Sequence, residues 1–347
     1  MTQRHIGLFG LSFVAVTALS AGLARADALS DFYTGKTITV IVGADSGGGY
    51  DAQGRLMARH IGRFIPGNPT SIVQNMPGAG SLTAANQLYN VSPKDGTVLG
   101  LLQRGVFSAK FTNPQGVRFD LTKFNWVGNL SAETGVVIAW ASSPFQTIED
   151  VMKQEMLVGG TGSNIDTETS PRIMNALIGT KFKIISGYPG TTDAVLAMER
   201  GEVQGMGDWS WSNVKTRKPD YLREGKIRVL MQMSTQKEPD LPNVPLAMDF
   251  VKTPEQRELM TLFLAQKSAA RPVVAPPGIP ADRVKAIRAA FDKMIVDPDF
   301  LKDATQAKLD IDPAPAAAIE KVIDVFAKTS DATGAKLRDA IDPKLSK

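Results

Sequence analysis

The chain has 347 residues, 43% hydrophobic and 21% charged, with 39 Lys and Arg against 35 Asp and Glu. That near balance argues against a nucleic-acid partner. With no cysteine and two histidines, a disulfide framework, a lipid-anchored lipoprotein, a thiol nucleophile and a His-rich zinc site are excluded, and neither metal nor cofactor is expected.

In chain order, Arg4 precedes an uncharged apolar run, Ile6 to Ala24, that closes on Ala24-Arg25-Ala26. This pattern predicts a cleavable secretory signal peptide over residues 1–26 and a periplasmic protein. An uncleaved anchor is the rival, since about 20 apolar residues span a bilayer; the small-residue cleavage site and the missing basic flank count against it. About 320 residues remain, enough for two compact cores.

Beyond this segment, short β-branched runs alternate with amphipathic stretches, the signature of an α/β protein with largely parallel sheets. Strands are predicted at Lys36–Gly43, Thr70–Met76 and Thr97–Leu102, with helices between them at 50–65 and 81–89. His60 reads as a residue on the face of the first helix. The middle repeats the grammar, with strands at Gly135–Trp140, Glu155–Gly160, Lys181–Gly187, Glu202–Gly207 and Ile227–Met233. A helix is placed after Pro171, and another at 193–200 that Gly201 closes as a left-handed cap. A proline-rich connection follows Thr235, and then helices, plainest at Ala281–Ile295. One architecture accounts for this: a first lobe of residues 27–130 and 236–347, a second of 131–235, and a ligand cleft between them.

Four stretches after strand ends are rich in glycine and small hydroxyl residues: Ala44–Asp51, Asn75–Ser81, Gly159–Asn164 and Gly187–Asp193. Each alone reads as a tight βα turn; four at one crevice read as a site. Glycine admits close backbone approach, and free N–H groups at a helix start suit an anion. A dinucleotide fingerprint at Gly47 fails, because no Asp or Glu lies between Asp51 and Asp95 to hold a ribose. A phosphate-binding P-loop fails for want of Gly-Lys-Ser/Thr. Small carboxylates remain.

The whole mature chain resembles the Bug family, the TctC-type periplasmic receptors of tripartite tricarboxylate transporters. The likeness rests on Ser46–Gly62 with its Gly-Gly-x-x-Asp turn, on Asn75–Leu102 with Pro-Gly-Ala-Gly, and on Gly160–Ser163, Tyr188–Gly190, Gly201–Val203 and Ala275–Val284. The resemblance implies a two-lobed type II periplasmic binding protein (Venus flytrap) that closes over its ligand. It implies a carboxylate held mainly by backbone amides, from Ser46, Gly47, Gly48, Gly49, Tyr50 and Asp51 on one lobe and Thr161, Gly162, Ser163 and Asn164 on the other. Gln103, Arg104, Tyr188, Gly190, Thr191, Asp208 and Trp209 would line the remainder. The sequence departs from the family at Asp45, in place of a proline-rich entry, and after Ser163, where the stretch is longer, more acidic and lacks the usual histidine.

Arg104, just past a strand end, is the first choice for a charge partner, because a guanidinium fork matches a carboxylate; simple surface exposure is the alternative. Trp209 either stacks on an aromatic acid or packs in the core. The leading reading is a monomeric solute-binding receptor, with no catalytic residue, that delivers a di- or tricarboxylate or an aromatic acid to membrane permease subunits. The alternatives are a partner that loads a sensor kinase with ligand, and a secreted enzyme restricted to carboxylates such as Asp45, Asp51, Asp166 and Asp208.

Overall fold

The computed structural model describes residues 28–162 and 165–341. The expected signal peptide and the site candidates Ser163 and Asn164 lie outside the described residues. A short helix α1 (residues 28–33) leads into β1 (Thr37–Val42), α2 (Gly49–Ile61), β2 (Thr70–Asn75), α3 (Leu82–Asn90), β3 (Val98–Leu101), α4 (Ala109–Thr112) and β4 (Asn125–Asn129). The chain then builds β5 (Gly135–Trp140), α5 (Ile148–Lys153), β6 (Met156–Gly159), α6 (Asp166–Ile178), β7 (Phe182–Ile185), α7 (Thr191–Glu199), β8 (Gly205–Ser210), α8 (Trp211–Arg217), α9 (Pro219–Arg223) and β9 (Ile227–Met233). It ends with α10 (Pro254–Ala265), β10 (Pro272–Ala275), α11 (Ala281–Met294), α12 (Pro298–Gln306), β11 (Ala314–Pro315), α13 (Ala316–Lys328) and α14 (Asp331–Ile341). Among the described residues no helix is long and apolar enough to cross a membrane.

The strands form two sheets, ordered β11-β4-β10-β3-β1-β2 and β7-β6-β8-β5-β9. In the first, β1 runs parallel to β2 and β3, while β10 returns antiparallel between β3 and β4. In the second, β6 is parallel to β7 and β8, and β5 is antiparallel to β8 and β9. The sheets are therefore mixed rather than largely parallel. The crossing strands β4 and β5 come from the first sheet and the second, joined by residues 130–134.

Most expected elements form within a residue or two, and Gly201 adopts φ +77° just past α7 as a left-handed cap requires. Three expectations shift. Helix α6 begins at Asp166, so Pro171 lies inside it; Gly207 of β8 leaves room for the Pro171 ring, against which a Cβ would stand at 2.9 Å. Strand β8 starts at Gly205 rather than Glu202, because the residues after the Gly201 cap make the turn. Strands β4, β10 and β11 were absent from the sequence pattern, being short and interrupted by Asn, Gly or Pro.

One apolar core runs from the first sheet (Ile41, Val98, Trp126) to the second (Val137, Met156, Val158). Helices α10 and α14 carry it across by packing on α6. Two smaller clusters fill the outer faces, one beneath α2 and α11 and the other around Trp209 and Tyr221.

The loops at the sheet ends are tied together by Ser81, fully buried and held at φ +75°. Its hydroxyl donates to the Gly43 carbonyl at 2.6 Å and accepts from the Gln103 N–H at 2.9 Å. The Gln103 side-chain amide also donates to the Gly43 carbonyl, at 3.0 Å. The turn after β1, the turn before α3 and the end of β3 thus share one node. A Cβ on Gly43 would lie 2.2 Å from the Ser81 Oγ, and that oxygen is fixed by two bonds. Gly43→Ala is expected to cost about 1–3 kcal/mol in urea unfolding, part of which a second change, Ser81→Gly, restores by making room.

Candidate ligand-binding site

The ends of β1, β3, β6 and β8 and the crossing 130–134 meet between the sheets. The crossing positions a stretch of lobe-one chain beside it: the Glu133 N–H donates to the Lys267 carbonyl (3.0 Å), the Leu130 N–H to the Arg271 carbonyl (3.0 Å), and the Arg271 N–H to Asn129 Oδ1 (2.9 Å). Lys267 and Arg271 therefore project from a segment fastened to the hinge itself.

The side chains gathered there form one ionic network. Arg104 reaches Glu133 Oε2 at 2.6 Å and pairs with Asp166 at the start of α6. Arg271 meets the same Glu133 oxygen at 3.2 Å. The Lys267 ammonium, 2% exposed, stands between Asp166 (2.8 Å) and Asp208 (2.7 Å). Ser170 Oγ donates to Asp208 at 2.5 Å. Tyr50 lies beneath the Arg271 guanidinium, 4.0 Å from ring centroid to cation, and donates its hydroxyl to the Ala270 carbonyl at 2.9 Å. A methyl group added at Gly49 would lie 3.9 Å from Arg271 Nη2, so the first glycine turn adjoins the network.

Burial and charge oppose one another at each group. Burial alone would raise the carboxyls of Glu133 and Asp166, but Arg104 with Arg271, and Arg104 with Lys267, outweigh it and hold both below the usual range. Burial alone would lower Lys267, but Asp166 and Asp208 raise it above its ordinary value. Asp208 moves the other way. Burial, helped by the charge of Asp166 and opposed by Lys267 and Ser170, pushes it from 3.8 up to about 6. One ammonium shared by two buried carboxylates leaves the deeper one under-compensated.

The glycine turns depart from expectation in a consistent way. The Gly47 N–H donates to Asp51 (2.8 Å), whose carboxylate also accepts from Arg55 (3.0 Å) and the Asn75 amide (2.9 Å). Burial would raise Asp51, and these bonds more than reverse it. Asp51 therefore shapes its turn. In the second lobe the Thr161 N–H donates to Thr167 Oγ1 (3.1 Å) and the Gly162 N–H to Glu168 Oε1 (3.0 Å). Three of the expected anion donors already have partners from the helix that follows them. Gly48 caps α2 without a side-chain bond, and the first-turn amides of Gly49, Tyr50 and Asp51 lie beyond the reach of intrahelical bonding. Ser46 is exposed.

Of the other candidates, Arg104 and Asp208 join the network, and Gln103 is bound to Gly43 beside it. The turn of Tyr188 and Gly190 is fastened to the third loop by the Tyr188 N–H on the Gly160 carbonyl (3.3 Å), and Thr191 opens α7. Trp209 is 5% exposed and its indole packs in the second sheet's apolar cluster. A cavity of about 550 Å3 has Glu133 and Lys267 in its wall, with Trp211, Lys215 and Asp310; neither glycine turn lines it. Sequence reasoning missed Glu133, Lys267 and Arg271. They lie in the hinge and in the turns before β10, where no local pattern marks them.

Two α/β lobes joined by crossing strands, with charged side chains converging on the hinge, define a two-lobed binding protein. The sequence matches the tripartite tricarboxylate transporter family receptor (TctC) over residues 63–333, and the chain belongs to that family of solute-binding receptors. It is 24% identical over 322 residues to the UPF0065 protein in gbd 5'region of Cupriavidus necator, covering 90% of each chain. A ligand-free TctC solute-binding protein from Polaromonas superposes with a TM-score of 0.67 at 19% identity, covering 90% of this chain and 99% of that one. MatC from Rhodopseudomonas palustris, solved with bound malate, gives 0.58 at 21% identity, over 88% and 99%. The fold is thus the two-lobed one the resemblance implied.

Two outcomes test the network. Lys267→Met leaves Asp208 buried without its cation and is expected to lower unfolding stability by about 3–5 kcal/mol; adding Asp208→Asn recovers part of the loss. A carboxyl raised on folding stabilises fully below its ordinary pKa and loses that contribution as pH rises through its folded value. The stability of the wild type relative to Asp208→Asn should therefore fall between about pH 4 and pH 7, by up to about 3 kcal/mol, in unfolding curves recorded across that range.

Proposed function

We propose that this protein is a periplasmic receptor that captures a small organic carboxylate between its lobes and presents it, as a monomer, to the membrane permease subunits of a tripartite transporter. The lobes are residues 27–130 with 236–347, and 131–235. One observation carries the substrate class: at the interface of the lobes, Arg104 and Lys267 of the first already hold a carboxylate, Asp166, supplied by the second. A seat that satisfies a side-chain carboxylate has the donors and the charge to satisfy a free one. The malate bound to MatC, a protein of the same fold, is consistent with that chemistry. On this reading the guest lies among Ser46, Gly48, Gly49, Tyr50, Gln103 and Arg104 on one side. Thr161, Gly162, Ser163, Asn164, Tyr188, Gly190 and Thr191 face it from the other, and the closed lobes are the form the permease reads.

Thermal unfolding of the mature protein against a panel of organic acids tests this. A true ligand at a hundredfold excess over its dissociation constant stabilises by about 2.7 kcal/mol, Arg104→Gln weakens its binding at least tenfold in calorimetry, and the compound is recovered unchanged. Consumption of the compound, or equal stabilisation by the corresponding neutral amide, overturns the reading.

A further inference from the structure

The two halves of Tyr50 serve different ends. Its backbone N–H, with those of Gly49 and Asp51, belongs to the first turn of α2 and has no acceptor within the helix; the glycines that open the turn, Gly47 to Gly49, are exposed. Its side chain is committed elsewhere, the hydroxyl donating to the Ala270 carbonyl at 2.9 Å and the ring lying under the Arg271 guanidinium at 4.0 Å. Residues 270 and 271 cannot follow α2 freely, because Arg271 is bound to the crossing through the Leu130 N–H, Asn129 Oδ1 and Glu133 Oε2. Asn129 also donates its side-chain amide to the Ser268 carbonyl at 3.2 Å. Contacts therefore lead from the start of α2 to Ala270 and Arg271, and from there to the hinge. A second run leaves the helix further along: the Gln53 amide and the Ser131 hydroxyl both donate to the Asp310 carbonyl, at 3.3 and 3.1 Å.

Resting on the carboxylate reading above, we propose that Tyr50 is a positioning residue for capture. Its side chain is a strut that registers the amide end of α2 against the hinge, and its one contact with the guest is the backbone N–H. Hydrogen bonds from amides to a carboxylate are directional, and donors displaced by a fraction of an ångström lose part of their hold. The glycines that open the turn give it freedom rather than stiffness, so its register must come from outside them. Asp51 supplies it toward β2, through Gly47 and Asn75. Tyr50 supplies it toward the hinge, where Arg104 meets Glu133. A phenyl ring in its place keeps the contact with Arg271 and loses the bond to Ala270; a leucine loses both.

Calorimetry with L-malate and the other acids of the panel, and hydrogen exchange on the ligand-free mature protein, decide it. For the acid that binds the wild type most tightly, Tyr50→Phe is expected to weaken binding about three- to tenfold, and Tyr50→Leu by more than about tenfold. In the ligand-free Tyr50→Phe protein the peptide carrying amides 48–52 exchanges faster, while that of α11 keeps its wild-type rate. His60→Ala separates position from stability. It loosens the far end of the same helix, where the ring is held by Asp303, and should lower the unfolding midpoint while leaving the affinity unchanged. Wild-type affinity or wild-type exchange in Tyr50→Phe overturns the strut. So does an equal loss of affinity in His60→Ala, which would make stability the cause. A panel in which no acid binds the wild type overturns the carboxylate reading and the role in capture with it.

Discussion

The structure turns on a single buried ammonium. Lys267 belongs by its backbone to the first lobe and by its charge to the second, where Asp166 and Asp208 enclose it. Two ionised carboxylates and an ammonium can be removed from water only when each is compensated within hydrogen-bond distance. That requirement fixes the lobes' relative position at the hinge. It also explains why the neighbouring groups are arranged as they are. Glu133 compensates two guanidinium groups, Arg104 compensates two carboxylates, and Asp208, with only a share of Lys267 and the Ser170 hydroxyl, keeps its proton to higher pH.

The glycine turns show a related logic at smaller scale. A helix start presents donors that must be satisfied, and in two of the turns a side chain from the following helix does so: Asp51 for Gly47 and Glu168 for Gly162. These bonds hold the turns in shape before any guest arrives. The Gly47, Thr161 and Gly162 amides are thereby taken up by side chains of the helices that follow, while the Arg104 and Arg271 side chains meet on Glu133 at the hinge.

The fold was legible in the sequence wherever a period was long enough to register. The strands β1, β2, β5 and β9, the helices α3 and α11 and the Gly201 cap follow from local pattern and chemistry. His60 behaves as read, its ring against Asp303 and Phe300 on the buried face of α2. The strands β4, β10 and β11 left no signal, because their stability comes from neighbours distant in sequence rather than from their own few residues. The same holds for the site. Arg104 could be named because it stands just past β3, and Asp208 because the strand predicted at Glu202–Gly207 ends beside it, although β8 runs on through Ser210. Glu133, Lys267 and Arg271 owe their positions to the β4–β5 crossing and the return of β10, a tertiary arrangement that no single stretch encodes. In the sequence Trp209 is open to two readings, and its burial in the second sheet's apolar cluster agrees with the one that packs it in the core.

Helix α6 joins two very different contacts. Its C-terminal half is packed in apolar surface against α10 and α14, while its first residue, Asp166, ends in the ionic cluster. From Leu177 to Asp166 the axis spans roughly 16 Å at 1.5 Å per residue. A lever of that length, pivoting on its greased end by only 10°, sweeps its charged tip through about 3 Å, enough to lift a carboxylate out of a guanidinium's grasp. Helix α6 also lies along β8, so a slip among the three helices would change Asp166's partners only if that contact yielded with it.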